Sequence, residues 1–294
     1  MEQQLNFIKD YKNNEVLRKS FNSLANQIFG INFEEWYQKG FWDSHYIPFS
    51  YTDGSIVIAN VSVNILHLII EGEVKKAVQI GTVMTHPDYR NKGISAALMR
   101  KVLDEYETKS DFIYLFANQS VLDFYPKFGF EAVEEYVYTL DFSVNEISSA
   151  NIRKLNIKNP KDLNFIHQCV SEREPVSQKF STDNPIGIFM FYCLNVFPND
   201  IYILEKENVI VLFKKEHDHI HIFDIVSKNE IDILQILRGI SDESTRKIVF
   251  YYTPDYPNIE VEQKRNNGSE VLFVKPTSQY PFPIKIKHPI TSQA

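Results

Sequence analysis

The stretch from Gln79 to Gly129 constrains the fold more than any other part of this 294-residue chain. Its first part is the apolar, β-branched segment Val78–Thr85. This composition predicts a buried strand, which Pro87 ends. Apolar residues then recur at helical spacing from Ile94 to Val102, and Phe112–Ala117 again has the composition of a buried strand. The stretch therefore predicts a strand, a turn, a helix and a second strand, with a second, short helix before Gly129.

The turn before the first helix has the chemistry of an anion-binding site. A helix N-terminus presents unpaired N–H groups and about half a positive charge. Arg90 and Lys92 add two full charges, Gly93 allows a ligand to approach the backbone, and no Asp or Glu occurs between Arg90 and Leu103. The turn suits a pyrophosphate; the alternative is an ordinary strand-to-helix turn that happens to be basic.

Two motifs in this stretch resemble those of the GCN5-related N-acetyltransferase (GNAT) family. Arg90 and Gly93 match motif A, the family's phosphate-binding pattern, whereas Ser95 stands where the family usually has Gly or Ala. Asn118 and the segment Phe124–Phe130 resemble motif B. The two motifs occur in the family's order and at about the family's spacing.

The resemblance proper extends from residue 56 to about residue 141, and it implies a fold and an acyl donor. The fold is α+β or α/β, with a mixed, mostly antiparallel central sheet flanked by helices. Phe112–Ala117 then lies beside Val78–Thr85, and the two strands splay apart to open a V-shaped slot. The donor is acetyl-CoA, and no metal is implied. The residues expected to bind the donor are Val83, Met84 and Thr85 for the pantetheine arm and the carbonyl, Arg90, Asn91, Lys92, Gly93, Ile94 and Ser95 for the pyrophosphate, and Asn118 and Ser120 beside the arm.

Tyr125 occupies the position of the family's general acid. A phenol with a pKa of about 10 is protonated at neutral pH and can donate to a departing thiolate. The alternative is that Tyr125 is one of 16 tyrosines and simply packs a helix. The general base is not evident: four candidates fall near the site in the expected fold, and a water chain is also possible. Those candidates are His45, His67, Glu71 and Glu134.

The first fifty residues are predicted to be helix and loop. An amphipathic helix is expected over Val16–Phe29, and a cluster of aromatic residues follows between Phe33 and Tyr46. Most of these rings are expected in the core, with one or two facing a substrate. Asp53-Gly54 then indicates a hairpin, and the residues from Ser55 to Ile70 are predicted as two strands divided after Ser62.

The second half of the chain resembles a degenerate copy of the first. The composition becomes polar over Ser143–Ile157, a plausible linker, and a similar order of helices and strands then begins again. Two tandem GNAT-like domains are therefore expected, as in members of the enhanced-intracellular-survival type. Residues 1–145 form the predicted catalytic domain, and residues 146–294 form the predicted degenerate domain with an extended C-terminal arm.

The degenerate copy is not expected to bind acetyl-CoA. Ser227 or Asn229 can cap the helix that follows the strand ending at Val226. Glu230 and Asp232 would place negative charge in its first turn, where a pyrophosphate would lie. There is also no Arg-x-x-Gly pattern at this point.

Charge and composition exclude several classes of protein. The net charge of −7 argues against nucleic acid as the main partner. The N-terminal residues are not those of a secretory leader, and no apolar run approaches a membrane span, so a cytoplasmic protein without a membrane partner is expected. Cys169 and Cys193 have apolar surroundings typical of core residues. His217, His219 and His221 alternate as on one strand face, for which solvation is favoured over a zinc site.

The sequence thus predicts an N-acetyltransferase that acts by direct attack in a ternary complex. The acceptor is expected to be an amine of a small molecule or a protein, and an aminoglycoside, a polyamine and a protein N-terminus all remain open. The alternative is a non-catalytic CoA-binding sensor or pseudoenzyme whose second domain binds a partner. The oligomeric state is not predicted.

The C-terminal residues from Gln279 to Ala294 allow two interpretations. Three prolines forbid a helix and favour an extended segment. The preferred interpretation is a last strand that packs on the second domain. The alternative is an arm that returns to the cleft between the domains and brings its free carboxylate, or His288, to the acceptor amine.

Overall fold

A computed structural model describes residues 5–144, 151–183 and 185–294. The helices are α1 (Glu15–Phe29), α2 (Glu34–Gln38), α3 (Ile94–Tyr106), α4 (Pro160–Ser171), α5 (Ile186–Asn195) and α6 (Ile233–Ile240). The strands are β1 (Asn6–Lys9), β2 (Tyr46–Asp53), β3 (Ile56–Ile70), β4 (Glu73–Thr85), β5 (Phe112–Asn118), β6 (Glu131–Val133), β7 (Tyr136–Asp141), β8 (Ile152–Lys154), β9 (Phe180–Asp183), β10 (Ile201–Leu204), β11 (Val209–Glu216), β12 (His219–Val226), β13 (Lys247–Phe250), β14 (Glu262–Arg265) and β15 (Glu270–Pro276).

The strands form two mixed sheets. The first has the order β1-β2-β3-β4-β5-β15-β6, with β9 added beside β3. The second has the order β14-β7-β13-β12-β11-β10-β8. Each sheet contains one parallel pair among its named strands, β4–β5 and β12–β13, and a helix connects each pair, α3 in the first sheet and α6 in the second. This confirms the expected fold class of two GNAT-like units with mostly antiparallel sheets.

The chain exchanges strands between the two sheets. β15 comes from the end of the chain but lies between β5 and β6 of the first sheet. β7, conversely, pairs with β13 and β14 of the second sheet. β6 and β7, which follow one another in the chain, therefore belong to different sheets. The predicted boundary after residue 145, with Ser148 and Ser149, lies outside the described residues.

The N-terminal strands differ from the prediction in two ways. β3 is a single strand of 15 residues rather than two, because nothing near Ser62 supplies a turn. β1 and β2 were missed, since the first fifty residues were predicted to be helix and loop. The Asp53-Gly54 hairpin is confirmed: β2 and β3 are paired to Asp53 and Ile56, and Gly54 has a φ of 58°.

The first sheet has a different covering on each face. Helix α3 packs Leu98 and Val102 against Val61 and Val63 of β3 in one buried cluster. On the opposite face, a second cluster joins α1 and the aromatic segment to α4, α5 and strands of the second sheet. The two units therefore share a hydrophobic core. Among the described residues, no helix is long and apolar enough to cross a membrane.

Candidate active site

A cleft of about 890 Å³ opens where β4 and β5 part. The two strands are paired only from Ala77 to Ile80 on β4 and from Phe112 to Leu115 on β5. On its other side β5 remains paired with β15 as far as Asn118. The splayed slot expected from the family resemblance is therefore present.

A β-bulge in β4 shapes one wall of this slot. Thr82 has a φ of 49°, and the pairing of β3 with β4 shifts between Asn60 and Ser62. The fully buried Asn60 donates from Nδ2 to the carbonyl of Thr82 and to Ser62 Oγ, both at 2.8 Å. Sequence reasoning missed this arrangement. Its signal was a row of polar residues on one face of an otherwise apolar strand.

The turn after β4 keeps its helix N-terminus available. Gly93 precedes α3 with a φ of 76°, a conformation that favours glycine, and no side chain of the described residues caps the helix. A Cβ at Gly93 would meet no atom within 4 Å. The space beside Gly93 is therefore open to a ligand, and the first N–H groups of α3 point into it.

Polar side chains around this turn have defined roles. Ser95 Oγ and Thr85 Oγ1 share a hydrogen bond of 2.6 Å, so Ser95 ties the start of α3 to the end of β4. Arg90 donates from Nε to the carbonyl of Thr85 at 3.3 Å and is otherwise exposed. Lys92 lies outside the cleft lining, with its Nζ 4.9 Å from the centre of the Tyr89 ring.

Apart from Lys92, the residues predicted for the site all line one cleft. They are Val83, Met84, Thr85, Arg90, Asn91, Gly93, Ile94, Ser95, Asn118, Ser120 and Tyr125. Asn118 accepts from the backbone N–H of Ser120 at 3.0 Å and so caps a short 3-10 helix at the end of β5.

Tyr125 begins a second 3-10 helix, Tyr125–Phe128, and is only 4% exposed. Its ring packs against Phe124 and Phe273, with ring centres 5.2 and 5.8 Å away. Burial raises the pKa of Tyr125 to about 12. The phenol is therefore protonated throughout the neutral range, which a general acid requires.

The C-terminal residues enter the cleft, and no described strand of the second sheet contains them. Gln79 of β4 donates from Nε2 to the carbonyl of Ser292 at 2.8 Å and accepts from the backbone N–H of Ala294. Ala294 lines the cleft and lies so close to Gly81 that a Cβ there would be 2.9 Å from the Ala294 carbonyl carbon. The preferred interpretation is right that the segment packs on the second unit, since Ile290 donates to the carbonyl of Tyr251, but the segment is not a described strand. The alternative is right that its last residues reach the cleft.

None of the four candidate bases named from the sequence lies in the cleft. His45, His67, Glu71 and Glu134 are all absent from the cleft lining. His288 is fully buried and also lies outside it. Its Nδ1 donates to the carbonyl of Pro289 and its Nε2 accepts from the Tyr114 hydroxyl, each at 3.0 Å. Burial lowers the pKa of His288 to about 3, so this imidazole is neutral and holds the segment in place.

The corresponding gap in the second sheet is filled by the chain itself. The pairing of β12 with β13 ends at Ile222 and Phe250. Beyond it, Ile290 donates from its backbone N–H to the carbonyl of Tyr251 at 3.0 Å, and Thr291 donates to the Asp224 carboxylate. In the second sheet, the C-terminal segment therefore occupies the gap that corresponds to the open gap between β4 and β5 in the first sheet.

Helix α6 is also closed to anions, and Asp232, one of the two predicted acidic residues, closes it as the N-cap rather than from within the first turn. It begins at Ile233, and the Asp232 side chain accepts from the backbone N–H groups of Leu234 and Gln235. Ser227 and Asn229 bond to each other instead. A capping carboxylate, rather than acidic residues within the first turn, occupies this N-terminus.

The far half of the cleft is built by both halves of the sequence. Phe33, Trp36 and Tyr46 come from the predicted aromatic cluster, and Phe191 and Tyr192 come from α5. Trp36 donates from Nε1 to the carbonyl of Gly187 at 2.8 Å, which joins the two walls. Sequence reasoning predicted the helix α5 but did not assign it to the site.

The three histidines near β12 do not share one strand face. His217 lies in the turn before the strand with a φ of 57°. His219 bonds to Asp218 and His221 to the Tyr251 hydroxyl. In the part of the chain that the structure describes, no three His, Cys, Asp or Glu residues are grouped to hold a metal ion.

Comparison with known proteins also indicates an acetyltransferase domain. Residues 13–133 match the model of an acetyltransferase (GNAT) domain. This region extends further toward the N-terminus than the two motifs alone and includes the aromatic segment. This part of the chain is therefore similar to a GNAT acetyltransferase domain.

Solved structures share the architecture of the whole chain. A probable N-acyltransferase from Enterococcus faecalis V583 matches with a TM-score of 0.62 and 16% identity, over 94% of this chain and 73% of its own. A GCN5-related N-acetyltransferase from Kribbella flavida gives 0.57 and 15%, over 93% and 72%. Eis1 from Mycobacterium abscessus gives 0.56 and 13%, over 93% and 73%. At these identities the likeness is one of fold. No curated protein matches the sequence.

Proposed function

We propose that the protein is an N-acetyltransferase that moves the acetyl group of acetyl-CoA to a primary amine by direct attack in a ternary complex. The observation that carries the proposal is the continuity of the cleft. It runs from the open N-terminus of α3, past Tyr125 and Ala294, to the aromatic walls of α2 and α5. A donor and an acceptor can therefore meet beside the Tyr125 hydroxyl.

The donor half fits acetyl-CoA. The N-terminus of α3, with the Arg90 guanidinium beside it, offers N–H donors and positive charge to the pyrophosphate. Beyond Ile80, β4 has no partner on the β5 side among the described strands. The backbone of Val83, Met84 and Thr85 is therefore available to the pantetheine arm, as one strand is to another, and its N–H groups can polarise the thioester carbonyl.

The reaction requires a neutral amine and a protonated leaving thiolate. In this proposal the neutral amine attacks the carbonyl carbon, and its surplus proton passes to water. The carbon–sulfur bond then breaks, the Tyr125 hydroxyl donates to the thiolate, and the phenolate recovers a proton from water. Both cysteines are buried outside the cleft lining, and burial raises the pKa of each thiol, so neither is suited to form an acyl-enzyme.

The test is acetyl-CoA consumption with a panel of amines, with detection of free CoA and of the acetylated product by mass spectrometry. Calorimetry measures acetyl-CoA binding separately. We expect binding and product formation with at least one amine. Binding without any acetylated product would instead favour the non-catalytic sensor.

A further inference from the structure

The acceptor half of the cleft is walled by apolar groups. Its lining includes Phe33, Trp36 and Tyr46, together with Ile188, Phe191 and Tyr192 of α5. The two groups are in contact, since the rings of Phe33 and Phe191 stack with their centres 5.2 Å apart. The rim is apolar as well, since Phe29 at the end of α1 and Val196 just after α5 are 41% and 48% exposed. Large apolar side chains exposed on both sides of a cleft mouth favour an apolar ligand.

The cleft offers little to a polycation. Among its described lining residues, Glu270 carries the only side-chain carboxylate and Arg90 the only positive charge. Glu270 already accepts from Gln293 Nε2, and it pairs with Asn118 at the donor end. Each additional ammonium group of a polyamine or an aminoglycoside would be desolvated against aromatic rings without a carboxylate partner.

One polar side chain in this half has an unused donor. Asn64 of β3 is 4% exposed and lines the cleft, and its Nδ2 has no hydrogen-bond partner among the described residues. Its neighbour across the sheet, Gln79, uses its amide on Tyr114, Ser292 and Ala294. A buried amide left unpaired costs about 1–3 kcal/mol, so a ligand atom that accepts from Asn64 would remove that cost.

The position of Asn64 indicates that the ligand atom accepting from its amide belongs to the acceptor and not to acetyl-CoA. Asn64 pairs with Gln79, four residues and about 13 Å along β4 from Val83, so the donor's carbonyl is out of reach. The amine lone pair is committed to the attack, which leaves an oxygen of the acceptor. An attacking nitrogen lies about 3 Å from that carbonyl, and an accepting oxygen lies about 3 Å from Asn64 Nδ2, so about 7 Å separates the two acceptor atoms.

We propose that the acceptor is a monoamine with a flat aromatic body and an oxygen about 7 Å from the amine, bound by the Asn64 side-chain amide. Tyramine has this arrangement, and phenethylamine is its match without the oxygen. The inference rests on the proposed acetyltransferase activity and deepens it.

The first experiment compares kcat/KM for tyramine, phenethylamine, spermidine and kanamycin. We expect kcat/KM for tyramine to be about 100-fold or more above the values for spermidine and kanamycin. It should be about tenfold above the value for phenethylamine, which is the contribution of one hydrogen bond. Preference for spermidine or kanamycin would overturn the inference and leave the acetyltransferase proposal intact. Acetyl-CoA binding with no product from any amine would overturn both.

The second experiment substitutes Asn64→Leu and, in parallel, Asn64→Ala. Either variant should lose the preference for tyramine over phenethylamine and retain activity with phenethylamine. The melting temperature of Asn64→Leu should be unchanged or higher, because an unpaired buried amide is removed. The matched control is Asn195→Leu on the exposed side of α5, which should keep the wild-type preference. An unchanged tyramine preference in the Asn64 variants would refute the assignment.

Discussion

At the scale of single residues, burial sets the protonation state of two groups in opposite ways. It raises the pKa of Tyr125 to about 12 and lowers that of His288 to about 3, in each case because the charged form loses its hydration. Both groups are consequently neutral at physiological pH. Tyr125 keeps a proton to donate into the cleft, and His288 keeps a lone pair for the Tyr114 hydroxyl.

Tyr125→Phe should lower kcat by about 10²- to 10⁴-fold, the range for loss of a general acid. The fold and the acetyl-CoA affinity should be unchanged, because the ring contacts remain. In the wild-type protein, activity should not decline on the alkaline side below about pH 11, since the phenol stays protonated until its pKa of about 12. Steady-state kinetics against pH measure both effects, and wild-type turnover in Tyr125→Phe would show that another group protonates the thiolate.

His288 should make the protein less stable as the pH falls below 6.5. The unfolded chain takes up a proton at the ordinary pKa of 6.5, whereas the folded chain does so only at about 3. Its contribution is therefore fully present above pH 6.5 and decreases by up to about 1.4 kcal/mol per pH unit between the two values. Denaturant unfolding of His288→Gln should show a shallower loss in this window than the wild type. The exposed His45→Gln is the control, and equal slopes in the wild type and His288→Gln would disprove the assignment.

At the scale of elements, two segments border the two halves of the cleft. They are the first turn of α3 and residues 292–294 of the C-terminal segment. Gly93 and Ser95 position the N–H groups of α3, with the open space beside them. Gln79 and Gly81 hold the C-terminal residues against β4. Each can be altered without touching the other.

Ser95→Glu should weaken acetyl-CoA binding by at least about tenfold, because it places a negative charge in the turn that receives the pyrophosphate. Ser95→Ala is the control, since it removes the bond to Thr85 without adding charge, and its affinity should change by less. Replacing Gly93 with a large residue should also weaken binding, through the strained φ and the filled space. Calorimetry that finds the same affinity in Ser95→Glu as in wild type would rule out this pyrophosphate site.

Displacing Ala294 from its place beside Gly81 should lower kcat, because Ala294 lines the cleft between the donor and acceptor halves. Thr291 and Ser292 are buried, so deleting residues 292–294 would also disturb packing. Gly81→Ala is the cleaner change, because the added Cβ would crowd the Ala294 backbone directly.

Steady-state kinetics measure kcat, and calorimetry should find acetyl-CoA affinity unchanged in Gly81→Ala. Wild-type turnover in Gly81→Ala would show that the position of Ala294 does not affect the reaction.

At the scale of the whole molecule, the two units depend on each other. The first sheet contains β9 and β15 from the second half of the sequence, and the second sheet contains β7 from the first. Arg173 forms a two-pronged, buried ion pair with Asp224, at 2.6 and 3.0 Å, and Thr291 binds the same carboxylate. The segment that reaches the first cleft is thus anchored in the second unit.

Because the C-terminal segment fills the second gap, the protein should bind one acetyl-CoA per chain. Calorimetric titration with an independently measured active concentration gives the stoichiometry. Ser95→Glu should abolish most of the measured heat if the first cleft accounts for it. Two equivalents per chain would contradict both the filled gap and the capping role of Asp232.

Features that depend on neighbours in sequence were predictable. The turn before α3, the helices α1, α3 and α5 and the Asp53-Gly54 hairpin are set by spacing, turn residues and apolar periodicity within a few positions. The motif residues from Val83 to Tyr125 meet in one cleft because a strand, a helix and a second strand follow one another in the chain.

Only the tertiary structure decided what closes the cleft on its far side. Gln79 and Ser292, 213 positions apart, meet because β15 crosses into the first sheet and carries the chain end back with it. The walls of α5, the unused amide of Asn64 and the neutral His288 likewise depend on groups brought together by long-range packing. A local pattern carries the preference of a segment for helix, strand or turn. Which distant segment then covers it depends on the packing of the whole chain.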